Sequence, residues 1–292
     1  MTSSAIFFSY SSQRDFNSIM DNLEKYNVDK VILAVGGRLN LESNSGKLNS
    51  RRITLLYEES RLGKSNSLNR AIEHVKGDFT YIISGDVRFE PDIFSKCEER
   101  FTGNVGMVIP MVEPYAPENF AERIGSVMWH VRDVFLDYMQ SHGKFFSGGE
   151  FQAVRNPVKI NFKDIVNDDE FLCHHVYNSG LRILYDRQIV VRNFVPDRLP
   201  ELFQQRVRVN FGHYESRKFN NVHCSLSLLV SEDFRSAWNV LLHFIKRYPR
   251  DSLFIFFSGA VEVLSLIKSR QAFRRGTKLN VWKIVNTRKD GQ

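Results

Sequence analysis

The first third of the chain alternates between short apolar runs and longer stretches in which apolar residues recur every three or four positions. The apolar runs have the length and the β-branched and aromatic content of buried strands. The longer stretches have the spacing of amphipathic helices, as on the face formed by Leu68, Ala71 and Val75. Such alternation is typical of parallel strands joined by crossover helices. The predicted strands are residues 5–8, 31–35, 53–57 and 79–83, and the predicted helices are residues 13–26 and 65–75.

The middle of the chain continues the pattern with longer helices. The longest is amphipathic, with Ile124, Val127 and Val131 on one face. A segment at residues 145–154 carries Gly148 and Gly149 in its middle. The predicted helices here are residues 91–100, 121–139, 165–178 and 199–211, and the predicted strands are residues 106–110, 181–185 and 189–191.

The chain changes character from about Cys224 onward. Residues 252–267 are almost wholly apolar, interrupted by Glu262 and followed by basic residues. The run is shorter than the roughly 20 residues that a spanning helix needs, and a carboxylate is costly in lipid. Basic flanks favour a helix lying on an anionic membrane surface, and a core helix of a soluble domain is the alternative. We expect a catalytic domain at residues 1–222 and a helical, membrane-interfacial segment at residues 223–292.

Composition narrows the class of protein. The apolar content of 42% and charged content of 25% are ordinary for a soluble globular protein. The net charge of +7 favours an anionic partner, such as a nucleotide diphosphate or an anionic membrane. The basic residues are scattered, so nucleic acid is not an expected partner. Because the three cysteines are far apart and no signal-peptide pattern begins the chain, we expect a cytoplasmic protein with reduced thiols, peripheral at the cytoplasmic face of the membrane.

A carboxylate follows the fourth predicted strand. Ser84 and Gly85 end the apolar run, and Asp86 sits at the carboxyl end of the strand. Ligands bind at that edge in open α/β sheets, and a carboxylate there suits a divalent cation that holds a diphosphate. The alternative is a carboxylate that caps the next turn, since Pro91 follows closely.

A basic turn lies between the third strand and the next helix. Gly63 and Lys64 occupy the position of a phosphate-binding P-loop, but that motif needs a glycine where the chain has Glu58. An ATPase is therefore excluded, and the lack of a G-x-G-x-x-G after the first strand leaves a nicotinamide enzyme unsupported. Arg61 and Lys64 beside a helix N-terminus still favour a phosphate-bearing ligand. A basic surface loop is the alternative.

Acidic residues cluster at the start of a predicted helix, at Asp168, Asp169 and Glu170. The helix dipole favours carboxylates there, which gives them a structural role. A functional role would be to take a proton from an incoming hydroxyl, and adjacent like charges raise one pKa toward that purpose. On a later helix Gln205 and Arg208 share a face, and Arg208 could hold a phosphate, with solvated helix charge as the alternative.

The order of these motifs resembles family 2 glycosyltransferases of the GT-A fold, from about residue 5 to residue 214. The matching residues, in chain order, are Arg61, Gly63, Lys64 and Asn69 for R-x-G-K-x-x-x-x-N; Ser84, Gly85 and Asp86 for D-x-D; Gly148 and Gly149 for the glycine pair; Asp168 and Asp169, followed by Gly180, for the E-D pair; and Gln205 and Arg208 for Q-x-x-R-W. The resemblance implies a Rossmann-like α/β fold, with a mixed, mostly parallel sheet flanked by helices and a C-terminal helical appendage.

The resemblance also implies a reaction, namely an inverting transfer of the hexosyltransferase type. A UDP- or GDP-sugar would be the donor, and a glycan or a lipid-linked group would be the acceptor. Asp86 would hold Mg²⁺ or Mn²⁺, and Asp169 would be the catalytic base, with Asp168 as the next candidate. The implied substrate-binding residues are Arg61, Lys64, Asn69, Gly148, Gly149, Gln205 and Arg208.

The chain departs from the family pattern at three places. Ser84 replaces the first Asp of D-x-D, so that Asp86 alone would carry the metal. Gly36 and Gly37 stand where acidic residues usually contact the nucleotide base. Val209 stands in the Trp position, which weakens the case for processive polymer synthesis. The competing interpretation is a catalytically silent homologue that binds a nucleotide or a partner.

Overall fold

The computed structural model of the protein describes residues 2–60, 62–156, 160–162, 165–217, 225–277 and 279. Within these residues the strands are β1 (Ser3–Tyr10), β2 (Lys30–Gly36), β3 (Ile53–Glu58), β4 (Phe79–Ser84), β5 (Val105–Pro114), β6 (Phe151–Arg155) and β7 (Arg182–Asn193). The helices are α1 (Gln13–Asn22), α2 (Ser45–Leu48), α3 (Lys64–Ile72), α4 (Ile93–Glu98), α5 (Phe120–Ser141), α6 (Asp168–Asn178), α7 (Leu199–Ser216), α8 (Leu226–Glu232), α9 (Phe234–Arg247) and α10 (Ile255–Arg274).

The seven strands form one sheet in the order β3-β2-β1-β4-β6-β5-β7. β1 runs parallel to β2 and β4, and β2 runs parallel to β3. β6 is antiparallel to both β4 and β5. The sheet is therefore mixed and mostly parallel, with flanking helices and a C-terminal helix, as the sequence predicted. The chain order reverses beside β1, and ligands of open α/β sheets bind at such a point, beyond the carboxyl ends of the strands.

The predicted elements correspond closely to the observed ones, with one exception among the strands. The strands expected at residues 5–8, 31–35, 53–57, 79–83 and 106–110 are β1 to β5. The expectation of two separate strands at residues 181–185 and 189–191 was wrong, because both lie in the continuous strand β7. β7 is the last strand of the sheet, and an edge strand accommodates the polar residues between the two apolar runs because one side faces solvent.

The chain divides into two compact units. The first comprises Met1–Met111, Gly148–Asp164 and Leu172–Val191. It contains most of the sheet and a cluster of aromatic rings at centroid distances of 4.8 to 6.5 Å. The rings of this cluster belong to Phe7, Tyr26, Tyr81, Phe89, Phe94 and Phe151. Aromatic side chains bury large apolar areas, so this cluster anchors β1, β4 and β6 in the unit that carries the sheet edge.

The second unit is mainly helical and comprises Val112–Ser147, Ile165–Phe171 and Arg192–Gln292. Buried Ile124, Val195 and Leu202 form part of its core. A Cβ on Gly125 would lie 2.0 Å from a methyl group of Val195, so α5 reaches this contact only through a glycine. The predicted domain boundary between residues 222 and 223 lies outside the described residues and stays a prediction.

Two of the three cysteines lie within the described residues. Cys97 and Cys173 are both buried and neither forms a disulfide with a described residue; their reduced state in the cell stays a prediction. Cys224 lies outside the described residues.

Candidate functional site

The end of β4 delivers Asp86 through a backbone contact that only glycine permits. The Gly85 N–H donates to the carbonyl of Phe8 on β1 at 2.8 Å. A Cβ on Gly85 would lie 2.5 Å from that same oxygen, closer than real Cβ atoms approach. Asp86 therefore emerges directly over the carboxyl ends of β1 and β4, where the sequence predicted a ligand-binding carboxylate.

The glycine pair predicted to bind substrate lies beside this strand end. β6 pairs with β4 so that Ile83 is opposite Phe151. The Ser84 N–H donates to the carbonyl of Glu150 at 3.0 Å. Gly148 and Gly149 directly precede Glu150 and are buried. The structure thus brings the two motifs, which are more than 60 residues apart in sequence, to one sheet edge.

Negative charge accumulates around Asp86. Burial raises the pKa of its carboxyl, and the charges of Asp15 and, more weakly, Glu150 add to that rise. Arg88 acts in the opposite direction, but it is also paired with Asp15, with 2.8 Å between Nη2 and Oδ1. Asp15 and Glu150 were not predicted as site residues, because Asp15 belongs to no spaced motif and Glu150 lies in the glycine motif without a role that the motif assigns to it.

This arrangement suits a divalent cation that takes only part of its ligands from protein. A bound cation would relieve the electrostatic repulsion between Asp86 and the neighbouring carboxylates of Asp15 and Glu150. Carboxylate oxygen is also the ligand type that Mg²⁺ and Mn²⁺ prefer. Among the described residues no group of three His, Cys, Asp or Glu side chains is placed to hold a metal ion by itself. Mg²⁺ is commonly bound by one or two carboxylates together with substrate phosphates, and Asp86 fits that pattern.

Helix α3 begins at Lys64, directly after the turn at Gly63. Gly63 has φ of 94°, a conformation that favours glycine. The ammonium group of Lys64 lies 5.7 Å from the centre of the Phe8 ring, near the end of β1. Glu58, which excluded a P-loop, is buried and accepts a hydrogen bond from the Ser67 hydroxyl at 2.7 Å. Arg61 lies outside the described residues, so its predicted phosphate contact stays a prediction.

Asn69 has a structural partner of its own. Its Nδ2 donates to the carbonyl of Phe162 at 2.9 Å, and its Oδ1 accepts from the Phe162 N–H at 2.8 Å. This two-sided pairing ties α3 to the segment after β6. The substrate contact predicted for Asn69 stays a prediction.

The glycines at the end of β2 are required by local packing. A Cβ on Gly36 would lie 2.4 Å from the carbonyl oxygen of Glu58, and one on Gly37 would lie 1.9 Å from the Ser11 hydroxyl. Gly37 also has φ of 77°. An acidic side chain at either position would clash, so the departure from the family pattern has a structural reason in this chain.

The three acidic residues of α6 differ in their surroundings. Asp168 and Glu170 are buried, whereas Asp169 is partly exposed. Glu170 Oε2 lies 2.8 Å from His213 Nδ1 and 3.2 Å from Asn167 Nδ2. Within the second unit, Asp169 is therefore the carboxylate of this cluster that solvent or a substrate can reach.

The start of α6 is fixed against α7 by a buried polar contact. Asn167 donates through Nδ2 to the carbonyl of Val209 at 3.1 Å. A Cβ on Gly212 would lie 2.2 Å from Asn167 Cγ, so the two segments approach closely because Gly212 has no side chain. His213 adds its contact with Glu170. Neither His213 nor Gly212 was predicted as a site residue, since a single His or Gly on a helix carries no distinguishing spacing.

Gln205 and Arg208 are both half-buried on α7, as their three-residue spacing allows. Their neighbour Arg206 points to α10 instead and makes two hydrogen bonds to Glu262, at 2.8 and 3.0 Å. The predicted residues fall into two groups, one in each compact unit. Asp86, Lys64, Asn69, Gly148 and Gly149 belong to the first unit, and Asp168, Asp169, Gln205 and Arg208 belong to the second.

Comparison with known proteins adds a family match. The sequence model described as "Glycosyltransferase like family 2" matches residues 43–212, more than half of the chain. A search of curated proteins found no match.

Several solved structures are similar to the chain at low sequence identity. The mannosyltransferase PcManGT from Pyrobaculum calidifontis, in complex with GDP-Man and Mn²⁺, is 14% identical with a TM-score of 0.54, over 95% of this chain and 83% of that chain. Glucosyl-3-phosphoglycerate synthase from Mycobacterium tuberculosis is 15% identical with a TM-score of 0.48, over 72% and 77%. The S. aureus protein TarS is 13% identical with a TM-score of 0.44, over 95% and 92%.

Proposed function

This chain belongs to glycosyltransferase family 2 and has the GT-A fold, and from that membership we propose that it transfers a sugar from a nucleotide-diphosphate sugar to an acceptor with inversion of the anomeric carbon. The donor is a UDP- or GDP-sugar, and the acceptor is a glycan hydroxyl or a lipid-linked phosphate. The observation that carries the proposal is the partial exposure of Asp169 between two buried carboxylates.

The nucleotide-sugar donor would bind at the carboxyl end of β4. Asp86 would hold Mg²⁺ or Mn²⁺, and the bound cation would offset negative charge on the diphosphate leaving group. The raised pKa of Asp86 supports this role, because neighbouring negative charge favours a bound cation. The mannosyltransferase of similar fold contains Mn²⁺ and GDP-Man. Lys64, beside the same strand ends, would contact the diphosphate.

Residues of α6 and α7 would act on the acceptor. Asp169 would take the proton from the acceptor hydroxyl as the oxygen attacks the anomeric carbon. Asp168, which is buried, is the second candidate for this role. Gln205 and Arg208 would bind the acceptor or steady the diphosphate, since a guanidinium group can hold phosphate through two hydrogen bonds.

Lipid-linked acceptors would be reached at a membrane. We therefore propose that the protein is cytoplasmic and makes peripheral contact with the membrane surface. Support for this comes from Pro249–Arg274, a segment among the described residues whose length and apolar composition would suffice to cross a membrane. Only 17% of its most apolar stretch is buried.

The test of the transfer reaction is the substitution Asp169→Asn. The variant should bind nucleotide-sugar as well as the wild type and release UDP or GDP about a hundred- to ten-thousand-fold more slowly in the presence of acceptor, which is the usual contribution of a general base. Binding is measured by calorimetry and turnover by nucleotide release. Asp21→Asn, at an exposed position of α1, is the matched control. Transfer at the wild-type rate by Asp169→Asn would remove Asp169 from the mechanism.

A catalytically silent homologue is the second candidate, and Ser84 favours it because the family places a carboxylate there. The two candidates differ in one measurement. A silent homologue would bind the nucleotide-sugar with metal but release no nucleotide with any acceptor, and restoration of turnover by Ser84→Asp would identify the missing carboxylate as the cause.

A further inference from the structure

Helix α10 buries its small polar residues and exposes its large apolar ones. Ser258, Ser265 and Ser269 are 5%, 0% and 0% exposed. A helix that packs on the core of a soluble domain has the opposite arrangement, with its apolar stripe inward. The exposed apolar residues in and just before α10 are Leu253, Phe256, Phe257, Val263, Leu264 and Ile267, each at least 51% exposed.

A polar seam holds α10 against α7. Glu262 accepts two hydrogen bonds from Arg206, and Ser265 accepts one from Asn210 Nδ2 at 2.9 Å. The Ser269 hydroxyl donates to the carbonyl of Val207 at 2.7 Å. Small residues and side-chain hydrogen bonds of this kind are typical of helices that associate where the surroundings are apolar.

The seam removes the main objection to lipid contact by α10. From the sequence, Glu262 is a carboxylate in the middle of an apolar run and would be costly in lipid. In the structure it faces α7. Burial alone would raise the pKa of Glu262, but the charge and hydrogen bonds of Arg206 outweigh that effect and leave the pKa below its ordinary value. The carboxylate is therefore ionised and paired on the inner side of the helix, and the outer face carries no acid.

The exposed charges that this stretch of the chain itself contributes have one sign. Between residues 246 and 275 the two acids are Asp251 and Glu262. Asp251 is buried and paired with Arg123 at 2.6 Å, and Glu262 is paired with Arg206. The exposed cations of the same stretch are Lys246, Arg247, Arg250, Lys268, Arg270, Arg274 and Arg275, of which Arg247 pairs with Asp137 on α5 at 3.0 Å. An apolar face bordered by cations at both ends is complementary to an anionic lipid surface.

We propose that the outward face of α10, formed by Leu253, Phe256, Phe257, Val263, Leu264 and Ile267, lies in the interfacial layer of an anionic bilayer while its inner face stays on α7. The inference gives the membrane contact of the proposed function a defined surface, and it does not depend on the transfer reaction. A spanning orientation that withdrew α10 from α7 would leave Arg206 and Asn210 without these partners, at high cost. A second copy of the chain that docked through the same face is disfavoured, because six cations besides the paired Arg247 would meet a like-charged surface.

The test is flotation of the full-length protein with phospholipid vesicles. The wild type should float with phosphatidylcholine vesicles that contain about 30% phosphatidylglycerol, and float less with pure phosphatidylcholine or at high salt. The double variant Phe256→Gln/Leu264→Gln should bind the anionic vesicles roughly a hundredfold more weakly, since each exposed apolar side chain contributes about tenfold. The control Val190→Gln/Leu199→Gln changes two apolar residues that are 39% and 40% exposed and should bind like the wild type.

Several results would overturn the inference. These are equal flotation of the wild type and the Phe256→Gln/Leu264→Gln variant, failure of the wild type to float, and resistance of the bound protein to alkaline carbonate, which would indicate a spanning helix. A dimer in gel filtration that the same substitutions dissociate would identify a second copy as the occupant.

A second variant guards against misfolding. Lys268→Glu/Arg270→Glu changes two exposed side chains and should abolish the preference for anionic vesicles. Retention of that preference would also contradict the inference. Binding of nucleotide-sugar is measured on every variant. If no form binds donor while flotation behaves as expected, the transfer proposal fails and the membrane surface stands.

Discussion

At the residue scale, carboxylate groups at different positions of the chain have different roles, which their neighbours determine. Glu58 accepts a hydrogen bond from Ser67 and stabilises the start of α3. Glu262 is ionised beside Arg206. Asp86 instead has other carboxylates nearby, so its negative charge opposes folding, and a bound cation would relieve that effect. Sequence motifs identified Asp86 and Asp169 as candidates, but the charges that raise the pKa of Asp86 come from Asp15 and Glu150, which are distant in sequence and could not be inferred from spacing.

The raised pKa of Asp86 predicts a stability gain from Asp86→Asn in the absence of metal. A carboxyl whose pKa is raised on folding destabilises the native state once the pH exceeds its unfolded value, and it has no such effect below that value. The variant should therefore have a higher free energy of unfolding than the wild type at neutral pH, and the two should converge as the pH falls below about 4. Urea unfolding at a series of pH values with EDTA measures the difference.

The same variant should lose metal-dependent donor binding, because it lacks the carboxylate that would hold the cation. Asp92→Asn is the control, since Asp92 is an exposed acid that pairs with Lys96 on α4. It should show neither the stability gain nor the loss of donor binding. A wild-type pH profile together with normal Mn²⁺-dependent binding in Asp86→Asn would show that Asp86 is not the metal ligand.

At the element scale, hydrophobic periodicity predicted most strands and helices because burial follows it closely. It failed at β7, where Asp186 interrupts the apolar pattern but lies at the sheet edge and pairs with Arg100 at 2.5 Å. It also could not assign the inner face of α10. There the buried side is the polar one, which reverses the rule that the prediction applied. The partners that decide this, Arg206 and Asn210, lie more than 50 residues earlier in the chain.

The close approach of α6 and α7 predicts that Gly212→Ala will lower both stability and activity. The added methyl would lie 2.2 Å from Asn167, so the start of α6 must shift and move Asp169. Overpacking of this kind costs about 1–3 kcal/mol, and turnover should fall with less change in donor binding. Thermal unfolding and nucleotide release measure the two effects.

Gly259→Ala is the matched control, because Gly259 lies in the interior of α10 and a Cβ there meets no atom within 4 Å. Alanine in a helix interior is favoured over glycine by about 0.5–1 kcal/mol, so this variant should gain stability. Loss of stability in both variants alike would indicate a general sensitivity of the helices and remove the special role of the Gly212 contact.

At the scale of the whole molecule, the family determines the reaction class but not the substrate. The glycines at the end of β2 leave no room for the acidic residues that the family uses at the nucleotide base. Under the proposed function, a nucleotide base would therefore be recognised by other groups, and a binding measurement would distinguish UDP from GDP. The net charge of +7 fits an anionic donor and an anionic surface equally well, so a direct binding measurement is needed to separate the donors.

A thermal-shift panel of nucleoside diphosphates and nucleotide-sugars with Mn²⁺ should reveal one preferred base. A ligand that binds only the folded state stabilises it by about 2.7 kcal/mol at a concentration 100 times its Kd, and the preferred diphosphate should approach that value. The corresponding monophosphate should shift the unfolding temperature little, because it lacks the second phosphate that would complete the coordination of the cation beside Asp86. EDTA should abolish the shift, and Asp86→Asn should reproduce the effect of EDTA in the presence of Mn²⁺. A shift of equal size with EDTA present would mean that Lys64 and the helix N-terminus bind the diphosphate without metal, and that the negative charge around Asp86 serves another purpose.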